Sequence, residues 1–246
     1  NNNGDPDLGS PNNRCNPAGP GIGAGGEPGT SGENCAPQGL VLIIQESDKI
    51  YPDDNGGGGI ITFDFATPAD DVFSIGLMDI DEKPTTVKVT TAGGETRTFT
   101  GLNGGNNSVQ TVAINMQDVT QVKVTFSGSG AITDLSVCAQ PKPIDPAPEP
   151  IDPTPEPIDP APTNTCTDLG IDFETAADGT PLAAGDYIKT PWFDGYGVTV
   201  SATGGFTPDS QPRLFDTAHP GTDNNNGDPD LGSPNNRCNP AGPGIG

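Results

Sequence analysis

The stretch NNNGDPDLGSPNNRCNPAGPGIG occurs twice without a difference, at residues 1–23 and again at 224–246. An identity of that length makes the chain read as one period of a tandem array and the start of the next period. On that reading residue 246 leads into the same residues that succeed Gly23, so one domain runs from about Cys166 to residue 246 and continues as 24–138 of the next copy. The expected organisation is the C-terminal part of one repeat over 1–138, a proline-rich linker over 139–165, and the N-terminal part of the next repeat over 166–246. The alternative is a motif duplicated within one closed protein.

The segments between the repeats alternate in the manner of strands. Residues 40–45 (LVLIIQ) form a short apolar run, and 59–65 (GIITFDF) place Ile61, Phe63 and Phe65 on one face. Further strands are predicted at 74–79, 86–91, 96–100, 108–114, 121–127 and 131–137, and beyond the linker at 169–174, 187–189, 198–202 and 213–216. Turn signals separate them, among them PDDNGGGG, AGGE, LNGGNN and SGSG. No stretch of useful length has a 3.6-residue period. The predicted class is all-β, a two-sheet sandwich of jelly-roll type.

The linker is ordered by composition. Residues 143–163 are three heptapeptides, PIDPAPE, PIDPTPE and PIDPAPT, in which Pro143, Pro146, Pro148, Pro150, Pro153, Pro155, Pro157, Pro160 and Pro162 recur. Proline at this density fixes φ and removes amide donors, which predicts a polyproline II rod of roughly 65 Å at about 3.1 Å per residue. The bland reading is an inert spacer. The sharper one is a substrate for proline hydroxylation and O-glycosylation at those prolines and at Thr154 and Thr163. Asn106-Asn107-Ser108 adds an N-glycosylation sequon in a turn.

Charge narrows the partners. There are 33 acidic residues against 10 basic ones, a net charge of −23, which excludes nucleic acid as an electrostatic partner and disfavours anionic membranes. Divalent cations are favoured instead. No apolar run approaches the length needed to span a bilayer. Cys238 repeats Cys15, which leaves four distinct cysteines per period, Cys15, Cys35, Cys138 and Cys166, a number suited to two disulfides in an oxidising compartment. Cys15 and Cys35 bracket a Gly/Pro-rich loop and are expected to pair. Cys166 is expected to meet Cys138 of the following copy; the competing pairing closes Cys138 to Cys166 across one linker, and Cys238 is expected to find its partner beyond residue 246.

Catalytic constellations are thin. The one histidine, His219, has no nucleophile motif beside it, so no triad is predicted and the chain does not read as an enzyme. Gly21, Gly23 and Gly26 satisfy G-x-G-x-x-G, but no strand precedes them and no helix comes after. The better candidate is the repeated stretch itself. Asn3, Asp5 and Asp7 alternate in N-G-D-P-D-L-G, as do Asn226, Asp228 and Asp230 in the second copy, with Asp223 just upstream. Oxygen ligands at every second residue of a Gly-containing loop suit Ca²⁺, and turn and capping roles are the competing explanation. Glu174 and Asp134, on the presumed first and last strands, are further candidate ligands. Asp79 and Asp81 alternate in LMDIDE and are expected on a solvated edge. Trp192, Phe193 and Tyr196 in PWFDGYG are either core or a platform for sugar stacking.

The pieces GDPDLGSPN, GPGIGAGG, VLIIQE, PDDNGGGGIITFDF, IGLMDID, NSVQTV and VTFSGSGAI together resemble a module recurring in large secreted surface proteins of algae, diatoms and marine bacteria. That resemblance implies a cell-surface adhesive or fibre-forming role on a carbohydrate-binding-module-like β-sandwich, with a structural Ca²⁺ joining the first and last strands. The chain is also similar to the Gly-Asp-Pro-His domain of diatom adhesive proteins, but Asp7 and Asp230 stand where that motif has histidine. The expected function is a structural subunit of an extracellular fibril or adhesive strand, glycosylated and cation-stabilised, whose identical repeats pack head to tail. The alternative is a surface module binding extracellular polysaccharide.

Overall fold

The computed structural model describes residues 6–45, 52, 54, 56–81, 85–138, 169–188, 192–204 and 211–220. The protein is all-β, with no α-helix among the described residues. Its strands are β1 (Leu40–Ile44), β2 (Gly59–Met78), β3 (Thr85–Thr91), β4 (Thr96–Leu102), β5 (Val109–Phe126), β6 (Ala131–Cys138), β7 (Leu169–Ile171), β8 (Val198–Gly204) and β9 (Pro212–Asp216). They join one antiparallel sheet in the order β4-β3-β5-β2-β6-β1-β9, with β7 on β6 and β8 on β2.

Two of these strands are longer than the sequence predicts, because each fuses two expected segments. The 59–65 and 74–79 segments are one strand, β2, and the 108–114 and 121–127 segments are one strand, β5. Pro68 and the acidic residues after it lie in the gap between the two expected strands. The chain instead stays extended through them, and the cost falls on the register, which shifts between Asp64 and Ala69 and again between Val72 and Ser74. A proline cannot donate to a ladder, so it is tolerated where pairing is already interrupted. On the facing strand Asn115 (φ 50) and Asp118 (φ 53) take the left-handed conformation that Asn and Asp accept most readily. The bulges on β2 and β5 therefore lie at the same level.

Partners change across that level. The first part of β2, residues 59–65, pairs with β8 on one side and β5 on the other, whereas 71–78 pairs with β6 and β5. The main core gathers alternate residues of these strands, among them Ile61, Phe63, Ile75, Leu77, Val122 and Val124. The expected strand over 169–174 ends at Ile171, since the fully buried Phe173 turns the chain at φ 63. Tyr187 contributes an isolated bridge to Arg213 in place of a strand.

The segments on either side of the linker share this sheet. β7 lies on β6 with Leu135 opposite Ile171, β8 on β2 with Phe63 opposite Val200, and β9 on β1 with Leu42 opposite Leu214. Arg213 of β9 is buried, and burial pulls its pKa below the ordinary value. Its Nε donates to the Gly185 carbonyl (2.8 Å), a terminal nitrogen donates to Gln45 Oε1 (3.2 Å), and the guanidinium lies over the Tyr187 ring. The whole linker, with Cys166 and all its proline and threonine modification candidates, lies outside the described residues.

β1 explains its own unbroken apolar run. Leu40, Leu42 and Ile44 face the main core, while Val41 and Ile43 face a second, smaller cluster with Leu8, Met78, Ala131 and Phe215. A strand covered on both faces has no solvent side to alternate with. The cover on the second face is the segment 6–38, which contains most of the first repeat copy.

Candidate functional site

The cap over β1 is where the repeated stretch is used. Apart from short 3-10 turns at Pro6–Leu8 and Ala24–Gly26 it has little regular structure, so its backbone groups need other partners. Three asparagines supply many of them. Asn107, fully buried in the turn before β5, donates from Nδ2 to the carbonyls of Gly9 (2.7 Å) and Asp7, and its Oδ1 accepts from Asn12 Nδ2 (2.7 Å). Asn12 Nδ2 also reaches the Gly23 carbonyl (2.8 Å). Asn34 Nδ2 donates to the carbonyls of Gly9 (3.1 Å) and Asn107 (3.3 Å). Asn107 sits at φ 62, a conformation that asparagine tolerates and most side chains resist.

Glycine makes the close packing possible at two places. A Cβ on Gly21 would collide with the Gly9 carbonyl, and one on Gly26 with the Asn107 carbonyl. The G-x-G-x-x-G match is therefore a close-packed loop. The cap is then fastened to the end of β9: the Ser10 N–H donates to the Thr217 carbonyl (2.8 Å), and Ser10 Oγ donates to Thr217 Oγ1 (2.7 Å).

A disulfide closes the cap. Cys15 and Cys35 are bonded, as their spacing predicts, with 20 residues of separation. Closing a loop of that size stabilises by about 3 kcal/mol in the chain-entropy account, so Cys35→Ser is expected to lower the unfolding free energy by about that amount in a denaturant titration. An unchanged midpoint would mean that the cap contributes nothing to the fold. Cys138, at the end of β6, is disulfide-bonded as well, its partner being outside the described residues.

The predicted cation ligands are only partly visible. Asn3, Asp5, Asp223, Asn226, Asp228 and Asp230 lie outside the described residues. Asp7 stands in the first 3-10 turn, where its carbonyl accepts from Asn107. Glu174 uses Oε1 to accept the Leu40 N–H at the start of β1 (2.7 Å), and Asp134, half-buried on β6, accepts from Thr133 Oγ1 (2.8 Å). Among the described residues no group of three His, Cys, Asp or Glu side chains is arranged to hold a metal.

Asp79 corrects the expectation of a solvated edge. It is 1% exposed, and its Oδ1 accepts the backbone N–H of Asn107 at 2.6 Å, which fixes the turn that carries the asparagine hub. Nothing in the alternation of LMDIDE distinguishes it from Asp81; only the return of 104–108 over β2 buries it. Asn106 of the sequon is half-buried with Oδ1 enclosed, its carbonyl accepts from Gly25 N–H, and Ser108 is fully buried.

The aromatic trio belongs largely to the core. Phe193 is 1% exposed, edge-on to Phe173 (6.3 Å between centroids) and stacked with Tyr196 (6.5 Å), while Trp192 and Tyr196 are partly buried against the same core. A ring covered on both sides offers no face to a sugar, which removes Phe193 from any platform.

The residues missed by sequence reasoning are thus Asn12, Asn34, Asn107 and Thr217. A signal existed for one of them: an Asn in a Gly-Gly-Asn-Asn turn is a natural left-handed residue. Compared with protein families, with curated proteins and with solved structures, the chain matches none.

Proposed function

We propose that the protein is a structural subunit of an extracellular fibril or adhesive strand, built from tandem β-sandwich domains joined by proline rods. One observation carries the reading: strands from beyond the linker, β7, β8 and β9, complete a sheet with β6, β2 and β1 from before it. In a repeated chain the same pairings form between 169–220 of one unit and 24–138 of the next, with the repeated stretch joining them. The exchange of partners halfway along β2 and the bulges shared with β5 support a sandwich in which two sheets are linked by two long bent strands. The disulfides and the acidic surface suit an extracellular setting, and the charge keeps extended chains apart in solution.

The linker prolines and threonines carry glycans in this reading, the repeats pack head to tail, and the translational contact gives an open filament. Imaging of native material tests it. A filament whose axial repeat equals one unit is the expected result, and discrete particles overturn it.

Ca²⁺ bound by the alternating Asn and Asp residues of the repeated stretch would add stability by mass action. Chelation is then expected to lower the melting temperature by about 5 °C, on the scale of roughly 2–4 °C per kcal/mol for a chain of this size. An identical melting curve with and without chelator removes the metal from the proposal.

A further inference from the structure

Outward positions of five strands fall into register on one face of the sheet. A central row runs Thr98–Lys88–Lys123–Thr62–Ser201 across β4, β3, β5, β2 and β8, each residue directly opposite the next. Alternation along the strands sends Val87 and Val124 into the core and leaves the row exposed or half-buried on the other side. Threonine recurs beside the row: Thr86 and Thr90 flank Lys88, and Gln121 and Thr125 flank Lys123. None of the positions in the row or beside it is aromatic. Recognition by ring stacking on a sugar therefore has no place on this face.

Lys88 and Lys123 are the anomaly. The chain has 10 basic residues against 33 acidic ones, yet the two lysines among the described residues sit side by side. Directly opposed side chains have Cβ atoms about 5 Å apart, and equal charges placed so are destabilising. Neither lysine makes an ion pair among the described residues. Asp64, which faces Gln121 across the strands, is occupied by that neighbour: its Oδ1 accepts from Gln121 Nε2 at 2.8 Å. An anion that touches both ammonium groups removes the repulsion. Lysine is a compact charge with three donors, so it suits a tetrahedral anion, whereas the planar fork of arginine matches a carboxylate. The hydroxyls of Thr62 and Thr98 carry the row outward on both sides as donors and acceptors. Four strand spacings of about 4.8 Å make the row about 19 Å long, the reach of a polymer and not of a lone ion.

We propose that this face binds a sulfated polysaccharide, one sulfate group bridging Lys88 and Lys123 while sugar hydroxyls on either side meet the hydroxyls of the row. Charge complementarity at the lysine pair selects the occupant. The net charge of −23 opposes any anion from a distance, but salt screens charges farther than about 10 Å at 0.1 M, and the lysines touch their ligand. The face belongs to a single sheet, so the proposal stands or falls independently of whether the native material is a filament.

Binding of the full chain to dextran sulfate in about 0.15 M salt tests it. Wild type is expected to bind dextran sulfate and to ignore unsubstituted dextran; failure to bind the sulfated polymer, or equal binding to both, overturns the proposal. Lys88→Gln and Lys123→Gln are each expected to raise Kd about tenfold, the scale of one lost charge-assisted hydrogen bond, with the melting temperature maintained. Arg14→Gln makes the same change in charge at an exposed side chain of the cap and is expected to leave Kd as it is. An equal rise in Arg14→Gln shows that only net charge matters and overturns the site. Equal affinity for carboxymethyl-dextran assigns the lysines to carboxylates and overturns the sulfate assignment. Thr62→Val combined with Thr98→Val is expected to weaken binding several-fold at the same melting temperature. Full affinity in that variant shows that the hydroxyl row takes no part and overturns the polymer assignment.

Discussion

Asn107→Ala, in the turn that holds the cap, is expected to destabilise the protein by about 4 kcal/mol. The substitution removes three hydrogen bonds at once, to the carbonyls of Gly9 and Asp7 and from the Asn12 amide; Gly9 keeps Asn34 and Asn12 keeps Gly23, while the cavity left by the amide adds to the loss, and a buried polar group left unmatched costs about 1–3 kcal/mol. Alanine also has to adopt the left-handed conformation at this position, which adds about 1 kcal/mol. On the scale of roughly 2–4 °C per kcal/mol for a chain of this size, the melting temperature falls by about 10 °C. Asn107→Gly separates the two contributions, since it keeps the conformation at little strain and is expected to recover about 1 kcal/mol. Equal melting temperatures for Asn107→Ala and wild type would show that the asparagine hub does not hold the cap.

Phe63→Ala is expected to cost a similar amount, about 4 kcal/mol, for an unrelated reason. Phe63 is fully buried in the part of β2 paired on both sides, opposite Val122 on β5 and Val200 on β8. Truncating it removes apolar burial and leaves a cavity that two flanking strands cannot collapse into, and Phe→Ala changes at such sites cost about 3–5 kcal/mol. Phe63→Leu, which refills most of the space, is expected to cost about 1 kcal/mol. Urea titration of the two variants checks the order. A loss below about 1 kcal/mol for the alanine variant would mean that β8, from beyond the linker, does not close over this part of the core.

Much of the strand pattern is legible in the sequence because it depends on local alternation. GIITFDF and QVKVTFS announce one buried face each, and they are found paired, Phe63 opposite Val122. The fusion of neighbouring segments into β2 and β5 is not legible. Pro68 and Asp118 lie in the gaps between the expected segments, and the coincidence of two bulges on facing strands lets both chains pass through them. The Cys15–Cys35 bond could be anticipated because a loop of 20 residues brings its own ends within reach. The burial of Asp79 and the closure of Phe193 into the core depend on chain returning from far away, and no local pattern encodes that.

The repeated stretch shows the division most clearly. Its sequence by itself determines that the chain contains the same segment twice, that the segment is loop-forming, and that its cysteine has a near partner, since identity, glycine and proline content and spacing are properties of the chain alone. What only the tertiary structure decides is what the segment is for. Leu8 becomes an anchor because β1 presents Val41 and Ile43 on a face where it packs with them, Met78, Ala131 and Phe215, and the asparagines become a hub because an irregular loop packed on that face must find partners for its carbonyls. The physical reason is that apolar burial and hydrogen-bond satisfaction are settled between segments far apart in the chain.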